Sequence, residues 1–599
     1  MKTTKNGRIR RITGLLIIGA VLICGLGLYP QNKVIAAESS LPGAFRALPE
    51  DLLQLPVTRD QDPDKLGWNT CWAFAATALA ELDATSNHGA STNINLSEMG
   101  LAYYTYNSNS DPIGISTGDV TIFKSEKKNF LTYGGSVDFA LETMASGNGL
   151  MNESALPYSR DVFDRILQYG VGDSYTNEYR LDAAYCFKLT SDSSMMAKRF
   201  IKERGAIATS VYAGSSLDEN GKVYYDDTNN SYYYKKGVVD YPENNEPYAN
   251  HAMVIVGWND DFPSDAFSNK APGNGAWLVR NSWSNGEQSA FDGYFWLSYY
   301  DDSLGQNAYA VKLGGVKDYD NRYQYDCGIL TNDTLLGVDT SKSVNVFRTS
   351  VSQKELLSAV AIHPNKPCDY TIRIYKGMEN SSKPTGGTLV HEQTGSTDCA
   401  GFMTIPLSKQ IELLAGEYFS VEAELSGAKM TCEYGSSSIY IDESQGRFGT
   451  RCGLKKGQSY ILNDGKYVDI VETVNAAGRN ISSLENGLGY GNVRIKAYTQ
   501  NAAEAAKPLK VKGFKAKRYG DVVDMQWETV AKSAADGYYI YKQNKKGSYN
   551  MIKKINDPTV SSYTYKNTSK YVSNNYAIKS YKASGDIIEK SKVSKITFK

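Results

Sequence analysis

The nonapeptide Gly67-Trp68-Asn69-Thr70-Cys71-Trp72-Ala73-Phe74-Ala75 constrains this chain more than any other stretch. A Gly-containing polar turn runs directly into an apolar, Ala-rich segment that reads as a helix, and one cysteine stands at the junction. The first turn of a helix leaves backbone N–H groups unpaired and carries the positive end of the helix dipole. Both favour a thiolate, so the position predicts a cysteine of lowered pKa and nucleophilic character. A cysteine beside Trp, Ala and Phe can equally be core packing. A base elsewhere in the chain separates the two.

A nucleophilic thiol needs a base, and the base needs a group that orients it. The 599 residues include four histidines: His88, His251, His363 and His391. His251 heads the apolar run 252–258, which reads as a buried strand. Thirty residues on, a second apolar run, 276–279, delivers Asn281 between aromatics, with Trp283 just beyond. Two adjacent strands would hold the Asn281 side-chain carbonyl against the His251 ring and fix its tautomer. The other ring nitrogen would then face Cys71. Trp283 would shield the His–Asn hydrogen bond from water and strengthen it.

Cys71-Trp72-Ala73-Phe74, Asn250-His251-Ala252 and Asn281-Ser282-Trp283 resemble the signatures of the papain/cathepsin family of cysteine peptidases, in that family's order. The Cys-to-His separation here is 180 residues, against roughly 130 to 150 in the family. The Tyr- and Asn-rich stretch 215–245 is the expected site of the insertion. Three weaker matches lie between. Asn95-Leu96-Ser97-Glu98 is similar to the family's helix start, and residues 205–211 to the strand before the histidine. Gly134-Gly135 is similar to the double glycine, whose backbone pairs with extended substrate. Glycine there lets another chain approach closely. The resemblance covers about residues 55–305.

Two departures carry expectations. The family usually has a cysteine where Trp68 stands, bridged to a partner where Thr132 stands, so losing both removes a staple without stranding a thiol. The family's oxyanion glutamine lies six residues before the cysteine, whereas Gln61 precedes Cys71 by ten. An extra loop, residues 62–66, would bulge outward and leave Gln61 beside the Cys71 N–H.

A chain of this length holds several domains. Residues 1–37 read as a secretory signal peptide: a basic start (Lys2, Lys5, Arg8, Arg10, Arg11), an apolar stretch 12–29 and the small residues Ala36-Ala37. An uncleaved anchor is the alternative, because the apolar run approaches spanning length. Residues 38–58 are too few for a long helical propeptide and form either a short pro-segment or part of the mature fold. Eight cysteines suit an exported chain. Spacing leaves Cys368–Cys399 and Cys432–Cys452 open as bridges, without fixing connectivity.

From 306 to 500, short β-type runs (357–362, 370–375, 417–423) alternate with Gly, Pro, Ser and Asn turns, which suggests an all-β sandwich. The arrangement resembles the lectin-like β-sandwich that follows the peptidase in some Gram-positive cell-surface cysteine proteases. That resemblance implies carbohydrate or cell-envelope contact and a structural calcium ion of unknown ligands. Residues 501–508 read as a linker. The remainder, 509–599, resembles a fibronectin type III domain, with Trp527 and the strands 537–541 and 575–581 supplying core aromatics. From Lys507 onward there are 20 Lys and Arg against 7 Asp and Glu, a net of +13, while residues 38–506 carry −19. A basic module on an acidic body suggests docking to an anionic wall polymer. No nucleic-acid motif accompanies it.

The expectation is therefore a multidomain α+β chain: a papain-like cysteine peptidase at 59–305 followed by two all-β sandwich domains, secreted or on the surface of a bacterial cell envelope, with no membrane span after signal cleavage. Cys71, His251, Asn281 and Gln61 are the expected catalytic residues. Gly134, Gly135 and Trp283 are expected to contact a protein or peptide substrate. The chemistry needs no cofactor. The alternatives are a surface adhesin or carbohydrate-binding protein with an inactive peptidase fold, and a thiol transpeptidase.

Overall fold

Helix Cys71–Asn87 is buried on all sides from Trp72 to Ala84. Its small apolar side chains let neighbouring elements close around it, as expected of a helix that is hydrophobic all round. Each buried polar residue on it is answered: the Thr77 hydroxyl donates to the Ala73 carbonyl at 3.1 Å, Glu81 pairs with Arg59, and Asp83 accepts the Leu313 N–H at 2.8 Å. Helices Glu98–Tyr106 and Val137–Ala145 pack against it. Ser97 caps the first of these, its hydroxyl oxygen accepting the Gly100 N–H at 2.9 Å.

The computed structural model describes residues 41–47, 59–63, 65–107, 119–124, 129–171, 176–213, 224–237, 249–283, 293–332, 338–442, 446–476, 488–502, 509–531, 535–566, 575–584 and 587–597. The expected signal peptide, the linker residues 503–508, and all of 38–58 except 41–47 lie outside these. The chain divides after Asn501 into two units.

A 13-stranded sheet forms the β half of the first unit. Strand His251–Asn259 is buried from His251 to Trp258 and runs antiparallel to Ile207–Val211 and Ala276–Arg280. Ala44–Arg46 adds to its far end, with Phe45 stacked on Trp258 at 4.9 Å, so residues 41–47 are part of this sheet. Within the insertion, residues 224–237 supply two short strands, and Tyr224, Tyr225, Tyr232 and Tyr234 join the core beneath. Residues 215–223 and 238–245 lie outside the described set.

The same sheet continues into the second half of the unit. Tyr179–Lys188 pairs with Asn307–Gly315 on one side and Ala400–Leu413 on the other. Residues 307–315, read from sequence as the start of the sandwich, thus pair inside the first half. Val120–Lys124 in turn pairs with Gly446–Arg451. Together with the five-stranded sheet to which that pair belongs, a six-stranded sheet completes the second half. Its Ile372, Ile374, Phe419 and Val421 share one core with Leu357, Val360, Ile405 and Leu413 of the long sheet.

The two halves also share a buried charge cluster. Glu142, on helix Val137–Ala145, pairs with Arg494 at 2.9 Å, lies 3.4 Å from His363 Nδ1 and accepts the Thr331 hydroxyl at 2.8 Å. Lys496 pairs with Asp326 at 2.8 Å. Burial alone would raise the Glu142 pKa, yet Arg494 and His363 hold it below the ordinary carboxylate value.

The bridges left open by spacing do not form: Cys368, Cys399, Cys432 and Cys452 are all thiols. Cys368 belongs to the core between the two sheets, whereas Cys399 packs with Phe187, Phe200 and Tyr224 in a different core. Cys432 and Cys452 are both thiols beside buried Glu433.

The second unit is a sandwich of a three-stranded and a five-stranded sheet. Trp527, Tyr538, Ile540, Tyr576 and Ile578 fill its core.

Candidate active site

Cys71 opens its helix and is partly exposed. The turn before it is tied to the segment opposite: Asn69 N–H donates to Leu131 O at 2.7 Å, and Asn69 Nδ2 donates to Thr132 O at 2.9 Å. These bonds join the two segments that a disulfide would bridge if Trp68 and Thr132 were cysteines. Trp68 itself is buried and packs edge-on against Tyr158 at 5.0 Å.

His251 Nε2 lies 2.7 Å from Asn281 Oδ1. The Ser282 backbone N–H donates to the same oxygen at 2.8 Å, which settles the orientation of the Asn281 amide. An oxygen can only accept, so Nε2 carries the proton and Nδ1 is left as the basic nitrogen. Trp283 stacks on the imidazole at 4.4 Å with 26° between the planes. The strand pairing explains the placement: His251 begins one strand, Asn281 immediately follows its antiparallel neighbour, and the Asn281 N–H donates to Gly293 O.

The electrostatics depart from the sequence expectation at Cys71. Burial pushes the thiol up, and the backbone hydrogen bonds from Ala252, Trp72 and Cys71 only partly offset it. Desolvation of the sulfur outweighs the helix terminus. Burial likewise pushes His251 down to about 4, while the bond to Asn281 acts in the opposite direction. The resting site therefore favours a neutral thiol and a neutral imidazole. The Ala252 contact sets the sulfur beside the residue that follows His251.

Gln61 is buried, and the extra loop folds back on itself as its composition allows. The Asp62 carboxylate accepts N–H bonds from Leu66 at 2.7 Å, Gly67 at 3.0 Å and Trp68 at 3.2 Å. Lys65 and Gly67 take positive φ to close the turn. Gln61 Nε2 donates to Trp68 O at 3.2 Å, Ser282 Oγ donates to Gln61 Oε1 at 2.8 Å, and Gln61 N–H donates to Ser282 O at 2.9 Å. One carboxamide N–H thus remains beyond the bond to Trp68. Tyr158 donates to Gln61 O at 2.7 Å, so the Thr70 hydroxyl donates to Tyr158 Oη at 2.6 Å. Gln61 and the residue preceding Cys71 are joined through one phenol.

Arg59, two residues before Gln61, anchors this segment. Its guanidinium bonds both Glu81 oxygens at 2.7 and 2.8 Å and pairs with Glu98 at 2.8 Å. One cation serves two carboxyls, and burial raises the Glu98 pKa against the pull of Arg59. At the double glycine, a Cβ on Gly135 would sit 2.5 Å from the Trp72 ring, so close packing demands glycine there. Gly134 has φ +93° and open space above it, and its carbonyl accepts the Tyr106 hydroxyl at 2.7 Å.

The geometry thus joins His251, Asn281 and Trp283, places Gln61 on Ser282 and Trp68, and holds Gly134-Gly135 against Trp72. The sequence assigns no role to Ser282 or Tyr158. Ser282 lies inside the motif Asn281-Ser282-Trp283 and could have been read from it. Tyr158 shows its contact only once the chain is folded.

A helix that starts with a cysteine, packed on a sheet with a strand that starts with a histidine, is the arrangement expected of a papain-type cysteine peptidase. Comparison with known proteins agrees: residues 63–312 match the papain family cysteine protease model, and residues 322–499 match the lectin-like domain model. Residues 63–312 are a papain-family cysteine protease domain and residues 322–499 a lectin-like domain. A cysteine protease of Blomia tropicalis is 22% identical over 288 residues, 47% of this chain and 71% of that protein. The cysteine protease and lectin-like domains of Cwp84, a surface layer associated protein of Clostridium difficile, superpose with TM-score 0.55 at 19% identity, covering 77% of this chain and 89% of that one. A second structure of clostridial Cwp84, a variant after propeptide cleavage, gives TM-score 0.54 at 19% identity over 75% and 98% of the two chains. These likenesses establish the shared fold.

Proposed function

We propose that the chain is a secreted or cell-surface endopeptidase acting through Cys71, His251 and Asn281. As substrate arrives, the Cys71 thiol gives its proton to His251 Nδ1 and the sulfur attacks the peptide carbonyl carbon. The oxyanion that forms accepts hydrogen bonds from the Cys71 backbone N–H and the remaining N–H of Gln61 Nε2. The His251 imidazolium then protonates the leaving amine as the C–N bond breaks, giving a thioester. Water, activated by the same nitrogen, hydrolyses it. Asn281 holds the ring throughout, and Trp283 keeps water from the Nε2–Oδ1 bond. Extended peptide lies along the backbone of Gly134 and Gly135.

The observation that carries this reading is the 2.7 Å bond from His251 to Asn281, which leaves Nδ1 as the base. Treatment with an epoxide-type thiol inhibitor followed by peptide mapping tests it. Modification at Cys71 with loss of peptide hydrolysis is expected, and Cys71→Ala should abolish both. Labelling at another cysteine, or hydrolysis that survives Cys71→Ala, overturns the assignment. Ligated peptides as the main product would show a transpeptidase instead.

Export rests on the basic and apolar pattern of residues 1–37. Cwp84 is a surface layer associated protein, and a cell-envelope location is proposed for this chain too. Among the described residues, no helix is long and apolar enough to cross a membrane. The lectin-like half is proposed to contact envelope carbohydrate, and the last unit to be fibronectin type III-like. No described group of three or more His, Cys, Asp or Glu side chains could hold a metal ion. The expected calcium is therefore given no ligands.

A further inference from the structure

In the C-terminal unit, the five-stranded sheet turns Tyr538, Ile540, Tyr576 and Ile578 inward to the core. Strand side chains alternate, so the intervening residues face out. Tyr539 is paired with Lys554 on one side and Lys579 on the other. Tyr581 is paired with Lys590, and Ala577 with Lys595. Residues paired in this way share a face. Four lysines from four strands therefore stand on one side of the sheet. No Asp or Glu occupies an outward position among the described residues of these strands.

Three of the lysines lie on a floor of rings. Lys554 Nζ is 5.0 Å from the centre of Tyr581, Lys590 Nζ is 4.7 Å from Tyr539, and Lys595 Nζ is 5.0 Å from Tyr549. The Tyr539 and Tyr581 rings are themselves 4.7 Å apart. The stems lie along apolar surface and the amines stay in water. Neighbouring strands are about 4.8 Å apart, so Lys554 and Lys579 stand roughly 10 Å from each other. Like charges held at such spacing repel within a Debye length and favour an anion that spans them.

From this face we infer a docking surface for a linear polymer of phosphate diesters. The amines come from four strands of one open sheet face, which suits repeated charges and not one small anion. Among the described residues of these strands, Met551 is the one well-exposed large apolar side chain, which gives a membrane little to take in. A five-stranded sheet face is too broad to enter a duplex groove. This surface is independent of the peptidase chemistry, so peptide hydrolysis and polymer binding fail separately.

The test uses the full chain and immobilised poly(glycerol phosphate). The variant Lys554→Gln/Lys579→Gln/Lys590→Gln/Lys595→Gln should bind at least about 10-fold more weakly at 0.15 M salt and lose most of its salt dependence. The same substitutions made as Lys→Arg should retain binding. A control of equal charge, Lys510→Gln/Lys512→Gln/Lys545→Gln/Lys546→Gln, should change binding less than 3-fold. An unchanged thermal midpoint and intact peptide hydrolysis confirm that each variant folds. Equal losses in the face and control variants would reduce the effect to net charge and overturn the proposal. So would unchanged binding of the face variant, or tighter binding of the native chain to phosphatidylglycerol vesicles or duplex DNA than to poly(glycerol phosphate).

Discussion

The cleft and the junction between the peptidase and lectin-like halves bury polar groups in opposite ways. At the junction, burial of the Glu142 carboxyl is met by Arg494 at 2.9 Å and the Thr331 hydroxyl at 2.8 Å, and the carboxylate is stabilised. In the cleft, burial of Cys71 and His251 is met by neutral groups alone: backbone amides at the sulfur and Asn281 at the ring. The Glu142 site is charged, whereas the cleft is neutral and can exchange a proton between two poised groups. At Glu142 burial is answered by opposite charge, and in the cleft, where a bond must be made, it is left partly unanswered.

The sharpest way to break the contrast is Arg494→Met. It removes the cation paired with Glu142, which is also a second cation near Asp326 and Glu433, and should cost about 3–5 kcal/mol of stability by denaturant unfolding. The folded fraction should keep its kcat. A kcat that collapses while the protein remains folded would erase the distinction between the two regions.

Gln61→Ala probes the other side. It should lower kcat about 10²- to 10³-fold with little change in thermal midpoint. Asp62→Ala should act on the same step more weakly, because it loosens the loop that holds Gln61 and leaves the carboxamide in place. A roughly 10-fold loss in kcat/KM is expected. If Asp62→Ala matched Gln61→Ala, the loop would be more than a positioning device.

The smallest effect is in pH. His251 must be neutral to accept the thiol proton, and burial sets it at about 4. Activity should therefore persist as pH falls through the ordinary histidine range and decline only near 4. The Asn281 bond raises the His251 value, so Asn281→Ala should move the acid limb lower still while reducing kcat. An acid limb near 6.5 would show that solvent reaches the ring more freely than the Trp283 stacking implies.

Much of the site was legible because its chemistry is carried by short motifs. A cysteine after a polar turn, a histidine heading an apolar run and an asparagine between aromatics each occupy a position dictated by the local element. Three points were not legible. Asn69 takes over the task of a missing disulfide through bonds to Leu131 and Thr132, which are more than sixty residues away. Cys368 and Cys399 suit a bridge by spacing, yet their side chains enter different cores. The direction of the Cys71 shift came from desolvation, which depends on everything packed around the sulfur.

By itself the sequence determined the local elements and the order of reactive residues, because helix starts, buried strands and turns are written in neighbouring side chains. Only the tertiary structure decided that one sheet runs from the peptidase into the lectin-like half, through Tyr179–Lys188 and Ala400–Leu413. It also decided that the ten-residue approach to Cys71 curls around Asp62 and leaves Gln61 on Ser282. Strand pairing and desolvation depend on residues hundreds of positions apart, and no local pattern records which distant backbone or ring will close on a given atom.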